Sequence, residues 1–591
     1  MYLRTVKVPS SSGKTHEYVR IVEAYRQDGK VKQRVVADLG RKDLLLSMLP
    51  QLQRLLLGVD SVSPADGPGG VSFQEAATWG PMLVVQRVAE QIGLTVILRQ
   101  CLPRRAAEQE ADEPHAAPPA ERALVLIANR LIRPGSEHAL AGWLENDWVC
   151  DTAGRRFLPR WQQRGRVKVE HRQLDRWYHT LDRLAAAKKQ MEVELYRRLR
   201  DLFSLQVDLV LYDITSSYFE GAGPAGLAFH GHSRDGKPQN VQVVVGVVMV
   251  GIWPIAHHVF EGNTVDVTTV LEVVKDLRER FELGRVVFVG DRGMVSDGNL
   301  AALVAQGQGY LVGLKRRCNP HVDAWLQKAR EDQWQECPGG INTRERKAPL
   351  RTRVQEIDSG AAGRRVFVID SEERRGYEQA QRTKCMERTR EKLEKLQQRV
   401  ESGRLREASE IGAAAQRALS AHHGQRYYDW RLKEGKFEFF EDEPRLAAEK
   451  RLEGMYVIAT SEQGLGPLEA VAAYKQLGEV ERGFRSLKDV IDLRPIWHHS
   501  PTRVQGHIFV AALALLLERA LECRLKESGV PLSAREAMLA VQTIRYIRYK
   551  VGDQVRCGVT GGSTQAKQVL QALGIENLRP PTPPKGEEVT V

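Results

Sequence analysis

Between residues 206 and 314 the chain sets out short apolar runs in an order that few folds accommodate. Residues 207–212 form an apolar run that ends in Asp213, and residues 242–250 form a β-branched one. A third run follows Gly251-Ile252-Trp253-Pro254 and reaches Phe260. Residues 265–281 then change to the helical period, through Val267, Val270, Leu271, Val274 and Leu277. The run 286–289 is a buried strand that stops at Gly290-Asp291, and a helix at about 297–306 and a strand at 310–314 close the series. The reading is three strands, helix, strand, helix, strand.

That order belongs to a mixed-sheet α/β domain of the ribonuclease-H-like kind. Its fifth strand should lead directly into a helix. Instead the chain detours through 318–465, and the next strongly patterned helix begins near 468. The detour is a β-rich and helical insertion, with strand-like pieces at 365–369, 437–440 and 455–460. A highly charged helical pair lies at about 373–402 and 405–424, and most of its charges read as solvated faces. Upstream, 18–25 alternates, Asp28-Gly29 marks a turn and 31–39 follows, which is a β-hairpin signal. A Leu-rich helix is expected at 43–57 and a linker at 58–70. Residues 72–205 read as mostly helical, broken by a linker-like segment at 103–121. Aromatic and basic residues interleave there, as in Arg160-Trp161-Gln162-Gln163-Arg164, which suits a DNA-binding region. Residues 531–575 read as a helix, strand and helix annex, and the proline-rich tail from Arg579 as disordered. The expected domains are 1–58, 71–205, 206–317 with 466–530, 318–465, and 531–591.

Charge bounds the partner. Lys and Arg total 87 against 75 Asp and Glu, a net charge of +12, which favours a polyanion because phosphate neutralisation releases counterions. The seven cysteines show no CxxC pair and read as reduced thiols. The longest apolar run, 508–517, is about half of what a bilayer requires. A soluble, cytoplasmic and nucleoid-associated protein with no membrane partner is expected.

Three acids carry the chemistry. Asp213 and Asp291 stand at the ends of strands, where α/β sheets bind ligands. Carboxylates there suit Mg²⁺, and two such ions about 4 Å apart serve phosphoryl transfer. An Asp after a strand often merely starts a turn; two in this topology favour the metal reading. The third lies in Tyr474-Lys475-Gln476-Leu477-Gly478-Glu479-Val480-Glu481-Arg482-Gly483-Phe484-Arg485-Ser486-Leu487-Lys488. On one helix, Tyr474, Glu481 and Lys488 at seven-residue spacing drift only about 20° per step. They would form a stripe of hydroxyl, carboxylate and ammonium. The competing reading is an amphipathic helix with Glu481 paired to Arg485.

With these motifs the sequence resembles the DDE transposases of bacterial insertion sequences, in particular the group whose last catalytic helix bears Tyr-x2-Arg-x3-Glu-x6-Lys. Tyr474, Glu481 and Lys488 match, while Leu477 holds the Arg position. Leu211-Tyr212-Asp213-Ile214-Thr215-Ser216 and Gly290-Asp291-Arg292-Gly293-Met294 match the first two acidic motifs, and the detour matches that group's insertion. The likeness spans about 206–520, with traces at Asn129-Arg130-Leu131. It implies that Asp213, Asp291 and Glu481 bind two Mg²⁺ or Mn²⁺ ions. It also implies that Tyr474 and Lys488 contact phosphate, with Arg292, Arg482 and Arg485 as further candidates. Trp334 or Trp430 could hold a flipped base, although packing is the preferred reading for both. Cut-and-paste transposition follows, with double-stranded DNA as terminal inverted repeats and target, and a homodimer. A structure-specific nuclease and a domesticated, non-catalytic DNA-binding protein are the alternatives. Gly13-Lys14-Thr15 lacks the earlier glycine of a phosphate loop, so no nucleotide is expected. Cys318, His321 and Cys337 lack the second half of a zinc site, so no zinc is expected.

Overall fold

The computed structural model describes residues 2–9, 15–27, 30–42, 71–104, 117–158, 166–203, 209–283, 285–291, 296–314, 319, 321–338, 350–551, 554–579 and 589–590. By contacts the chain divides into two compact units, Met1–Ala76 with Ile547–Gly558, and Ala77–Tyr546 with Val559–Val591.

In the first unit Tyr2–Pro9, Thr15–Gln27 and Lys30–Arg41 form an antiparallel sheet. The pairing runs to Gln27↔Lys30, and the turn expected at Asp28-Gly29 lies outside the described residues. The helix expected at 43–57 and the linker at 58–70 lie outside the described residues. Val71–Thr78 corrects the helical reading of 72–205 at its start. It is a strand in a sheet with Arg545–Val551 and Gln554–Val559, so the C-terminal annex holds two strands rather than one. The helix Pro119–Ile132 also begins inside the segment read as a linker, with Pro at a helix start where its missing N–H costs nothing. Of the tail, Val589–Thr590 pairs with Phe157–Leu158, and 580–588 lie outside the described residues.

The second unit is organised by a nine-stranded mixed sheet. Its strands are β1 (Leu209–Tyr218), β2 (Gln242–Val250), β3 (Trp253–Glu261), β4 (Val287–Gly290), β5 (Gly309–Leu314), β6 (Gln335–Glu336), β7 (Thr352–Ile357), β8 (Arg365–Ser371) and β9 (Met455–Thr460). They lie in the order β6-β7-β8-β9-β5-β4-β1-β2-β3. β1, β2 and β3 are antiparallel neighbours, while β4 runs parallel to β1 and β5 parallel to β4. The strands of the detour join this same sheet beside β5, beginning with antiparallel β9.

Alternation along each strand sends side chains to two cores. Leu211, Val245, Val247 and Val289 pack with Val480, Phe484 and Leu487 and with Leu513 and Leu516. Val210, Tyr212, Val244 and Phe288 pack on the other side with Val270, Val274 and Leu277. Because both faces are covered, β2 is buried at every position, which is why its sequence is continuously apolar rather than alternating. A third cluster, including Leu393, Leu396, Ile411 and Phe437, belongs to the detour's helices Glu372–Glu401 and Ala408–Ser420 and its hairpin.

The helix Pro501–Glu527 is buried for most of its length, including the apolar run 508–517. Among the described residues no single helix is long and apolar enough to cross a membrane. Gly506 lets this helix approach the helix Arg166–Phe203, since a Cβ there would meet the Leu181 carbonyl oxygen and lie 2.9 Å from its carbon. Gly506→Ala should therefore force two packed helices apart and cost about 1–3 kcal/mol in urea denaturation. An unchanged midpoint would show that the helices part without strain.

Candidate active site

β1 does not end at Asp213. It runs on to Tyr218, paired with β2 as far as Tyr218↔Gln242, and this corrects the expected strand end. The strand that stops is its parallel neighbour β4, at Gly290. The pairing Leu211↔Val289 brings Asp213 level with Asp291, just past the last residue of β4. β2 supplies the hydrogen bonds that carry β1 onward, and Thr215, Ser216 and Ser217 are buried there. Asp213 shares the parity of Leu211, so it stands on the sheet face covered by the helix Leu477–Asp489. Its Oδ1 accepts from the Ile214 N–H at 2.8 Å.

Leu477, Val480, Phe484 and Leu487 are the buried stripe of that helix. Glu481 lies beside the stripe, exposed to solvent. The expected stripe of Tyr474, Glu481 and Lys488 spans two helices, since Tyr474 belongs to the preceding helix, Pro467–Lys475, while Gln476 between them keeps helical backbone angles (φ −63°, ψ −18°). The chain turns at Gln476, where Gln476 N–H reaches the Ala473 carbonyl and Glu479 N–H reaches that of Gln476. Such i→i+3 bonds tighten a helix end without requiring Gly or Pro. Tyr474 still reaches the site, donating to Asp291 Oδ1 at 3.3 Å. Asp213, Asp291, Glu481 and Tyr474 line one open cleft of about 640 Å³. Leu477 and Gly478 line it too, as do Arg374, Tyr377 and Tyr456 from the detour and its return strand.

Burial pushes the Asp213 carboxyl up to about 7 against the pull of the Ile214 N–H, and Asp291 and Glu481 push the same way while Arg234 opposes them. Crowded carboxylates of this kind are relieved by a cation. An all-oxygen donor set with neither thiol nor imidazole suits a hard divalent ion such as Mg²⁺ or Mn²⁺.

The phosphate candidates are divided. Lys488 Nζ donates to Asp235 Oδ1 at 2.7 Å, and Arg494 pairs with the same oxygen. The Asp235 side chain is 1% exposed and its Oδ2 has no hydrogen-bond partner among the described residues. Burial lowers the Lys488 pKa and Asp235 opposes that shift. Sequence reading missed Asp235 because its partner is 253 residues away. Arg482 is bound to Glu479 at 2.9 Å and to Glu522 at 2.6 Å, and it is not among the residues lining the cleft. Arg485 is exposed and makes no ion pair among the described residues, so the Glu481–Arg485 pair of the competing reading is not formed. Arg292 lies outside the described residues. Trp430 packs near Phe437 and Trp334 lies under the Arg353 guanidinium; neither lines the cleft.

A buried polar brace sits behind the catalytic helix. Arg130 donates to the Asp492 carbonyl at 3.2 Å and to His507 Nδ1 at 3.1 Å, and His507 Nε2 donates to the Leu493 carbonyl at 3.1 Å. Burial, then Arg130, keeps His507 well below its ordinary pKa, which suits a neutral ring bonded at both nitrogens. Glu137 and His498 complete the cluster, which holds the turn that follows Leu477–Asp489.

A family model described as transposase DDE domain matches residues 208–517, more than half of the chain. Another, described as IS1634 family transposase, N-terminal domain, matches residues 3–64. A search of curated proteins finds no match. The chain belongs to the DDE transposases of insertion sequences, DNA-acting polynucleotidyl transferases and endonucleases that depend on divalent metal.

Proposed function

We propose that Asp213, Asp291 and Glu481 jointly hold two Mg²⁺ ions, or Mn²⁺, and that the enzyme moves its element by cut-and-paste transposition. What carries this reading is the convergence of three acids, drawn from β1, the end of β4 and the helix Leu477–Asp489, in one open cleft. Bound there, the ions supply activation of the attacking oxygen and charge stabilisation of the leaving one. At each end of the element a water oxygen bonds to phosphorus, the P–O3′ bond breaks, and the freed 3′ oxygen takes up a proton. The oxygen of that 3′-hydroxyl then bonds in line to the phosphorus of a target phosphodiester, the target's own P–O3′ bond breaks, and the proton lost by the hydroxyl balances the one taken up by the released target 3′ oxygen.

The chain's own contribution is positioning. Asp213 is oriented by the Ile214 N–H and Asp291 by the Tyr474 hydroxyl. Glu481 rides on a helix fixed to the sheet by Val480, Phe484 and Leu487. Rigid elements hold such groups more tightly than loops do. The order β3-β2-β1-β4-β5 is the ribonuclease-H-like core of 206–317 with 466–530, and 318–465 is its insertion. Residues 1–58 and 71–205, with the annex 531–591, bind the terminal inverted repeats, and a homodimer pairs two ends in the nucleoid.

The test combines purified protein, a labelled duplex carrying one end of the element, an unlabelled target duplex and Mg²⁺. Nicking that exposes a 3′-hydroxyl, followed by joined products, is the expected result. Hydrolysis without joining would favour a nuclease, and binding without any cut would favour a non-catalytic protein.

A further inference from the structure

We infer that Arg374, contributed by the detour rather than by the catalytic core, is a phosphate-contacting residue of the cleft. This rests on the proposed roles of Asp213, Asp291 and Glu481.

Among the described residues, those of the helix Leu477–Asp489 that line the cleft include no cation, and Arg485 is exposed but is not part of the lining. Leu477 is apolar and Gly478 has no side chain, while Arg482 is tied to Glu479 and Glu522 and Lys488 to Asp235. Lys475 lines the cleft, but its ammonium is turned to Thr352 Oγ1 at 3.3 Å. With Glu373 on the rim, four carboxylates face a polyanionic substrate. Arg374, in the first turn of the 30-residue helix Glu372–Glu401, lines the same cleft.

Its guanidinium is oriented from two sides. Nε donates to Glu378 Oε1 at 2.7 Å, and the group lies over the Tyr456 ring, 4.9 Å from its centre. Glu378 is itself anchored, accepting the Gly454 N–H through Oε2 at 2.8 Å. The two Nη nitrogens have no hydrogen-bond partner among the described residues. A planar fork held by stacking and by one Nε bond, with its remaining donors unspent, is suited to bidentate contact with a phosphate. Glu378 and Tyr456 act as positioning residues. The catalytic cleft is then built jointly by the core and by the segment inserted into it.

The test compares wild type, Arg374→Lys, Arg374→Gln, Glu378→Gln and Asp291→Asn on a fluorescent duplex carrying the terminal inverted repeat that flanks the gene. Single-turnover cleavage in Mg²⁺, metal-free binding and thermal midpoint are measured for each. Loss of a donor to developing phosphoryl charge should slow cleavage by Arg374→Gln about 100-fold, with binding within about threefold and an unchanged midpoint. Arg374→Lys should recover roughly tenfold of that loss, since it restores the charge without the fork. Glu378→Gln should fall between Arg374→Gln and wild type, which a purely structural role would not produce at a constant midpoint. If Arg374→Gln and Arg374→Lys cleave at the wild-type rate while Asp291→Asn is inactive, the inference is wrong and the catalytic reading stands. If Asp291→Asn also cleaves normally, the catalytic reading itself fails.

Discussion

Asp291→Asn and Glu481→Gln should each slow cleavage of a DNA end by on the order of 10³-fold, while metal-free binding of the same duplex stays within about threefold. Both substitutions nearly keep volume, exchange one acceptor oxygen for an amide nitrogen, and remove the charge that would hold a cation. Asp291 and Glu481 are exposed at the cleft and make no ion pair among the described residues, so the fold does not depend on their charge. Loss of function should therefore come without loss of structure, read as an unchanged thermal midpoint. Equal cleavage by variant and wild type would remove either residue from the chemistry.

A second large effect is expected in stability, at Glu192. This carboxylate is buried in the helix Arg166–Phe203. Lys188 Nζ donates to it at 3.1 Å, the His257 backbone N–H at 3.1 Å, and Arg280 is its third partner. His257 Nδ1 lies 2.9 Å from Oε1. Removing one member of a buried ionic cluster strands the others, which typically costs 3–5 kcal/mol. Glu192→Ala should lose about that much in urea denaturation at pH 7. Burial works against the Glu192 charge, but Lys188, His257 and Arg280 together hold its pKa well below the usual carboxylate range. Its stabilisation is thus fully present above the unfolded value of about 4.3 and is lost as pH falls through the folded value. The gap between wild type and variant should be widest at neutral pH and narrow only in strong acid. A variant within about 0.5 kcal/mol of wild type at pH 7 would show that the cluster is replaceable.

The sheet's inner order was legible because β2, β4, β5 and the first half of β1 are short apolar runs. Asp291 was legible because β4 stops one residue before it. The continuation of β1 past Asp213 was not, since it depends on pairing with β2 and Thr215, Ser216 and Ser217 carry no apolar signal. The break at Gln476 hid for a related reason. Gln476 itself keeps helical backbone angles, and it is neither Gly nor Pro. Local periodicity also says nothing about which distant charge a lysine meets, so Lys488 was read as a phosphate ligand without its Asp235 partner. The same blindness to long-range pairing concealed the addition of β6 to β9 to the core sheet, and with it the arrival of Arg374 at the cleft. Val71–Thr78 was lost differently, as a short alternating stretch read into the helical region that follows it.

Direct ligation of metal by the three acids can be measured by changing the chemistry of each ligand. Asp213→Cys, Asp291→Cys and Glu481→Cys would be assayed for end cleavage in Mg²⁺ and in Mn²⁺ with protein confirmed as folded and DNA-binding. A thiolate is a poor ligand for Mg²⁺ and a better one for softer ions. Each variant is expected to be inactive in Mg²⁺ and to regain at least about tenfold in Mn²⁺ relative to its own Mg²⁺ rate, beyond any gain by wild type. Three folded variants with equal rates in the two metals would contradict shared metal binding at this cleft.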